Sequence, residues 1–232
     1  MFADLEIVFM RQGLVAINKP HGLLVHRSPI AGTAEVFALQ MLRNRLGVSV
    51  YPAHRLDRKT AGVLLFTTST ALNSLMQQAF MNRQVEKVYH AVVRGWIDDE
   101  GTIDYPLKDE RGRSQEAYTT YRCIHRSELP IPSAGFSTSR YSLVEVVPLT
   151  GRMHQIRRHF AHIFHPVIGD VKHGCNKQNR LLRRHMHLDI MLLHACSLRF
   201  LHPSTANEVY IEAPYQPPYV HFARQLGFSA PK

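Results

Sequence analysis

An aspartate stands between two arginines in the segment HRLDRKTAG, residues 54–62. Asp57 lies just before an apolar run, residues 63–66, that has the length and composition of a buried strand. We expect the carboxylate to stay ionised near neutral pH because Arg55 and Arg58 flank it. An ionised carboxylate at the mouth of a sheet can act as a nucleophile or a base. These residues alone are equally compatible with a structural salt bridge at the start of a strand.

A second candidate is an arginine on the apolar face of a predicted helix, residues 153–164. At about 100° per residue from Met153, Arg157 falls near 40°, inside the apolar sector. The apolar side consists of Ile156, Phe160 and Phe164, and the opposite side of His154, Gln155, Arg158, His159 and His162. Because arginine keeps its proton, we expect a carboxylate to meet Arg157, and Asp57 is the best candidate. The alternative is that Arg157 extends along its stem to water.

Short strands and helices must position these groups. Apolar runs and alternation predict strands over residues 7–9, 14–17, 63–66, 87–93, 141–147, 198–201 and 209–211. Helical spacing predicts helices over 33–46, 69–80 (with Ser69 as N-cap), 153–164 and 219–226. Segments 108–115 and 130–139 are predicted surface loops. Strands outnumber helices and often follow one another directly, which favours an α+β fold with a mixed, mainly antiparallel sheet.

Positive charge is concentrated in one part of the chain. The 232 residues include 28 Lys and Arg against 18 Asp and Glu, a formal charge of +10. Residues 150–187 hold eight of these basic residues and one acid, Asp170, which we interpret as a structural turn acid. This distribution is compatible with a nucleic-acid partner or with a solvated basic face. The candidate nucleic-acid contacts are Arg55, Arg58, Lys59, Arg152, His154, Arg158, Lys172, Lys177 and Arg180.

Composition excludes several classes of protein. Apolar residues make up 45% of the chain and charged residues 20%, as in ordinary globular domains, and no stretch resembles a membrane span or a signal peptide. We therefore expect a single domain over residues 1–232, without a membrane. The three cysteines form no disulfide framework, which favours a cytoplasmic setting. We expect no cofactor, since no nucleotide-binding glycine motif is present, and no metal, since the His and Cys spacings match no standard site.

Several blocks together resemble the RluA-type pseudouridine synthases. They are HRLDRKTAG (54–62), NKPHG (18–22), KVYHAVVRG (87–95), TGRMHQIRRHFAH (150–162), HPVIGD (165–170) and LLHACSLRFLHP (192–203), in the family's order. The resemblance implies the family's catalytic fold, with no S4 domain ahead of it. It also implies conversion of uridine in RNA to pseudouridine on a flipped-out base. Ala61 stands where the family usually has serine, a change that removes no catalytic group.

The resemblance also implies roles for single residues. Asp57 matches the nucleophile, Arg157 the arginine that pairs with it, and Tyr89 the tyrosine that stacks on the target base. Arg55 matches the residue that fills the space left by the flipped nucleotide. Leu193 lies in the block that closes the pocket. A core tyrosine is the alternative interpretation of Tyr89.

Within the family, residues 165–180 look most like members that isomerise the uridine at position 65 of tRNA. We therefore expect tRNA as the partner, with no DNA, bound by a monomer. One alternative is an enzyme of the same family that acts on rRNA. Another is a catalytically silent RNA-binding protein on the same scaffold.

Overall fold

Mainly antiparallel strands form the framework of the protein in a computed structural model, which describes residues 5–26, 36–133 and 135–229. The strands are β1 (Glu6–Arg11), β2 (Leu14–Lys19), β3 (Tyr51–Pro52), β4 (Ala61–Thr67), β5 (Glu86–Arg94), β6 (Glu100–Asp104), β7 (Leu107–Lys108), β8 (Ser114–Gln115), β9 (Tyr118–Leu129), β10 (Ser139–Pro148), β11 (Leu193–Leu201) and β12 (Glu208–Glu212). The helices are α1 (Ala38–Leu46), α2 (Thr70–Met81), α3 (Gln155–His162), α4 (Asn176–Met186) and α5 (Pro217–Gln225). The predicted α+β class is confirmed.

Contacts divide the chain into two units. The first contains residues 1–87 and 195–214, and the second contains residues 88–194 and 215–232. The prediction of a single domain over 1–232 stays a prediction. Within the described ranges, no helix is long and apolar enough to cross a membrane.

The first unit is a sheet covered by α2. β2 pairs antiparallel with both β1 and β4, β11 lies beside β4, and β12 pairs antiparallel with β11. Side chains of β2, β4, β11 and β12 form a core with α2, which includes Leu65, Met76 and Phe200. The predicted N-cap of α2 is confirmed, because the Ser69 hydroxyl accepts the Leu72 N–H at 3.2 Å.

The second unit is a sheet with a core on each face. Its strand order is β5-β10-β9-β6, with antiparallel pairs throughout. Val92 lies on the face that packs against α4 and α5, whereas Ala91 and Val93 lie on the face that packs against α3. Tyr89 packs against the same cluster as Ala91 and Val93, which confirms the predicted alternation along β5.

Several predicted boundaries were wrong. The segment 108–115 is not simply a loop, because β7 and β8 pair as a short hairpin. β2 continues through Asn18 and Lys19, which were assigned to a turn. The observed helix α1 starts at Ala38, and residues 33–35 of its predicted range lie outside the described residues.

Two long elements were missed altogether. All but one residue of β9 are half-buried or exposed, and the strand lacks clear apolar alternation. Backbone pairing with β10 and β6 holds it in the sheet. The helix α4 was missed because its sequence, NKQNRLLRRHM, is dominated by polar and basic residues. Polar side-chain contacts help to hold α4 against the rest of the second unit, and hydrophobic periodicity does not reveal such contacts.

Candidate active site

Asp57 lies in the loop that joins β3 to β4 in the first unit. The residue is half-buried, and its backbone carbonyl accepts the Thr60 N–H at 3.1 Å, which closes a turn just before β4. Leu56 is buried beside it, whereas the flanking Arg55 and Arg58 are exposed. The apolar neighbour therefore fixes the loop to the core while the carboxylate stays at the margin.

Lys19 anchors this loop from the end of β2. Its side chain is fully buried, and its Nζ donates to the carbonyl oxygens of Pro20 (3.0 Å), Leu23 (3.0 Å) and Arg58 (3.2 Å). Burial lowers the pKa of Lys19 to about 7, against the opposing effect of the Asp57 carboxylate. Sequence reasoning missed this residue, although the NKPHG block that contains it was noticed.

His54 fixes the other part of the same loop. Its Nε2 accepts the Leu65 N–H of β4 at 3.1 Å, and its ring lies 4.8 Å from the ring of Phe80. Burial lowers the pKa of His54 to about 4, and the nearby Lys87 charge acts in the same direction. The ring is therefore neutral at physiological pH, which keeps Nε2 available as an acceptor.

Arg157 is buried in α3 of the second unit, as predicted. Only 6% of the residue is exposed, so the alternative of a side chain reaching water is wrong. A carboxylate does meet it, because Nε lies 2.7 Å from Asp170 Oδ2 and Nη2 lies 2.8 Å from Oδ1. Sequence reasoning missed Asp170 as a partner of Arg157. Asp57 belongs to the other unit, and its pairing with Arg157 stays a prediction.

Asp170 has the structural role in a turn that we expected. Its Oδ1 also accepts the N–H groups of Lys172 (2.9 Å) and His173 (3.1 Å). Burial alone would raise the pKa of Asp170, but the hydrogen bonds and charge of Arg157 outweigh it and lower the pKa below its ordinary value. The carboxylate thus stays charged opposite the guanidinium.

The predicted solvent side of α3 is partly buried, which corrects the sequence analysis. Gln155 and His159 are both buried. The Gln155 amide accepts from the Thr150 hydroxyl at 2.7 Å and donates to the Tyr118 carbonyl at 2.9 Å. The His159 Nε2 lies 3.0 Å from the Tyr105 carbonyl. The sequence analysis placed these polar side chains in solvent, because periodicity does not show which buried backbone groups they can hydrogen-bond.

Tyr89 and Leu193 lie at the cluster into which α3 packs. Tyr89 is half-buried on β5, opposite Val146 of β10. Leu193 is buried in the cluster that contains Phe160 of α3. The second unit therefore gathers Tyr89, Leu193 and the helix that carries Arg157 around one apolar centre.

The predicted RNA contacts differ in exposure. Arg55, Lys172, Lys177 and Arg180 are exposed, and Lys59 is half-buried. The remaining ones are tied to neighbours: Arg58 Nε to the Gly22 carbonyl (3.0 Å), Arg152 Nε to the Glu116 carbonyl (2.9 Å), Arg158 Nη1 to the Lys108 carbonyl (3.0 Å) and His154 Nδ1 to His173 Nε2 (2.8 Å). Their roles toward RNA stay predictions.

Solved structures of similar fold include two human proteins. Human RNA Pseudouridylate Synthase Domain Containing 1 has a TM-score of 0.73 and 23% identity, with 99% of this chain and 97% of that chain covered. For Human RNA Pseudouridylate Synthase Domain Containing 4 the TM-score is 0.74 at 23% identity, with 98% and 95% covered. At this level of identity the likeness shows the fold alone.

Sequence comparison goes further. The family model for RNA pseudouridylate synthase matches residues 13–162. A tRNA pseudouridine synthase C of Vibrio cholerae is 46% identical over 220 residues, covering 90% of each chain. A protein of the same name from Haemophilus ducreyi is 41% identical over 235 residues, covering 97% of each chain. The chain therefore belongs to the RNA pseudouridylate synthase family and is an enzyme, a pseudouridine synthase.

Proposed function

We propose that this protein converts the uridine at position 65 of tRNA to pseudouridine, with Asp57 as the nucleophile. The observation that carries the proposal is the similarity to relatives named tRNA pseudouridine synthase C, which are 40–46% identical and align with 90% or more of this chain. The blocks that carry the family resemblance include Asp57, Tyr89 and Arg157.

The reaction is an isomerisation. The N1–C1′ glycosidic bond breaks, the uracil turns, C5 joins C1′, and the proton on C5 is replaced by one on N1. No electron or group donor enters this balance. The Asp57 carboxylate can add to C6 of the base, attack C1′ or take a proton from C2′, and each route requires it to be ionised and fixed in direction.

The contacts around Asp57 support its part in this chemistry. Lys19 ties the Arg58 carbonyl to the end of β2, and His54 ties the start of the loop to β4. The chain on both sides of Asp57 is therefore held by hydrogen bonds between a side chain and a backbone group. A fixed direction of attack is the main contribution that such a framework makes to a reaction rate.

Tyr89 and Arg157 complete the proposed catalytic set. Tyr89 stacks on the uracil and can move a proton, and Arg157 neutralises the Asp57 carboxylate while Asp170 fixes its guanidinium. Extruding the uridine from its helix costs a few kcal/mol. Stacking on Tyr89 and contacts of the basic residues with phosphates offset that cost, and Arg55 fills the space left in the RNA. Leu193 contributes an apolar wall.

We extend the proposal to the setting of the enzyme. The substrate is an RNA, and specifically a tRNA. A tRNA substrate supports a cytoplasmic location, and the net charge of +10 supports binding of the RNA by a monomer.

Mapping pseudouridine in cellular RNA tests the proposal. A strain that lacks the gene is compared with strains that carry the wild-type gene or the Asp57→Ala gene. We expect pseudouridine at tRNA position 65 to disappear without the gene and to return only with the wild-type copy. Loss of an rRNA site instead would identify the rRNA-modifying alternative, and loss of no site would favour a silent RNA-binding protein.

A further inference from the structure

The helix α4 presents a continuous cationic face to solvent. Lys177, Arg180, Arg183 and Arg184 are all exposed. At about 100° per residue they fall within a sector of about 120°, opposite the buried Gln178, Asn179 and Leu182. The exposed half of the helix thus consists mainly of positive charge.

Among the residues that the structure describes, these four side chains have no acidic partners. None of them makes an ion pair with a carboxylate within residues 5–26, 36–133 and 135–229. Several exposed arginines elsewhere do have a carboxylate partner: Arg113 pairs with Asp109, Arg122 with Glu145, Arg140 with Glu128 and Arg199 with Glu208. Like charges three and four residues apart destabilise a helix, so α4 carries a cost that an external anion would offset.

Polar hydrogen bonds fix the helix in place. The Asn179 side chain accepts the Gly169 N–H at 3.0 Å and donates to the Asp170 carbonyl at 2.8 Å. The Gln178 side chain accepts the Ser133 hydroxyl at 2.9 Å and donates to the Tyr141 hydroxyl. If this segment were flexible and fully solvated, it would not make these hydrogen bonds.

The same hydrogen bonds connect α4 to the candidate active site. Asn179 binds the N–H of Gly169 and the carbonyl of Asp170, and the Asp170 carboxylate holds Arg157. Asp170 therefore fixes the cationic face at a constant position relative to Arg157. A phosphate bound on α4 would take a defined position relative to that arginine.

We propose that the face formed by Lys177, Arg180, Arg183 and Arg184 binds the phosphate backbone of the RNA substrate and places the RNA relative to Arg157. The inference rests on the proposed function for the identity of the RNA. It adds a docking element that supplies affinity, separate from the groups that carry out the isomerisation. Phosphate contacts of this kind position a nucleic acid without reading its bases.

Binding of an unmodified tRNA transcript to the full chain tests the inference. The variant Arg180→Gln/Arg184→Gln removes two charges from the face and leaves Asn179 intact. The control Arg199→Gln/Arg224→Gln removes two exposed charges from β11 and α5. We expect the slope of log Kd against log salt concentration to fall by roughly 1 for each lost contact in the α4 variant only.

A single-turnover rate separates docking from damage to the site. We expect the α4 variant to need a higher enzyme concentration than the control to reach half of its maximal single-turnover rate, because its docking to RNA is weakened. Equal salt slopes for the α4 variant and the control would overturn the inference. So would equal half-saturating enzyme concentrations for the two variants. The binding measurement decides the inference even if wild-type enzyme leaves tRNA unmodified, a result that would overturn only the proposed function.

Discussion

Arg157 shows how one side chain can be fixed by its surroundings before any substrate binds. Its guanidinium is buried with two hydrogen bonds to the Asp170 carboxylate, and two backbone N–H groups complete the shell of that carboxylate. A pair of this geometry gains little net stability, because both charges lose hydration. Removing only one of the two charges is costly, since the other is left buried without compensation.

Arg157→Met tests this pair. We expect the free energy of unfolding to fall by about 3–5 kcal/mol because the variant leaves the Asp170 carboxylate buried beside an apolar side chain. Pseudouridine formation should be lost as well. Urea unfolding followed by circular dichroism measures the first effect.

The matched control is Arg158→Met, one residue further along α3. Arg158 is half-buried and donates to a single backbone carbonyl, so its loss should cost about 1 kcal/mol or less. Equal losses of stability in the two variants would show that breaking the buried Arg157–Asp170 pair costs no more than removing an ordinary surface contact.

At the scale of elements, the loop that carries Asp57 is held by two basic side chains in different states. His54 is a neutral acceptor toward β4, whereas Lys19 at the end of β2 donates to three carbonyl oxygens. Burial lowers the pKa of Lys19 from the ordinary 10.5 to about 7. Between these two values Lys19 binds more protons in the unfolded chain than in the folded one, so its contribution to stability rises with pH.

Lys19→Met should remove this pH dependence. For the wild-type protein we expect the contribution of Lys19 to increase the free energy of unfolding from pH 7 toward pH 10, by at most about 1.4 kcal/mol per pH unit. The variant should lack that contribution. Urea unfolding at a series of pH values measures the difference, with the exposed Lys108→Met as control. Parallel curves for wild type and Lys19→Met would contradict the assignment.

Hydrophobic periodicity predicted the elements that are held in place by apolar packing. The placement of Arg157 on the buried side of α3 came from spacing alone, and the structure confirms it. The alternation along β5 likewise placed Tyr89 on the correct face. Both results depend on apolar neighbours that repeat at 3.6 or 2 residues.

Elements and residues that are held by polar contacts could not be predicted in the same way. Asp170 lies 13 residues from Arg157, at a turn whose geometry no periodicity specifies. Besides the buried Leu182, the helix α4 is held by Asn179 and Gln178, residue types that usually lie on the surface. Lys19 was overlooked because a lysine is rarely fully buried unless its ammonium is satisfied.

At the scale of the whole molecule, the distribution of charge and the identity of the reaction are indicated by separate features of the sequence. The excess of basic residues in 150–187 predicts a polyanionic partner, and membership of the pseudouridine synthase family identifies that partner as RNA. Neither one specifies which uridine is modified. That choice depends on how the basic surfaces fit the folded RNA, which is a matter of shape as well as of charge.

The central claim is that the carboxylate at position 57 isomerises a uridine of tRNA. The most direct measurement incubates purified wild-type enzyme and Asp57→Asn with an unmodified tRNA transcript and maps pseudouridine at each position, while Kd is measured in parallel. We predict pseudouridine at position 65 with the wild type, none with the variant, and similar Kd values. Product formed by Asp57→Asn at the wild-type rate would contradict the claim.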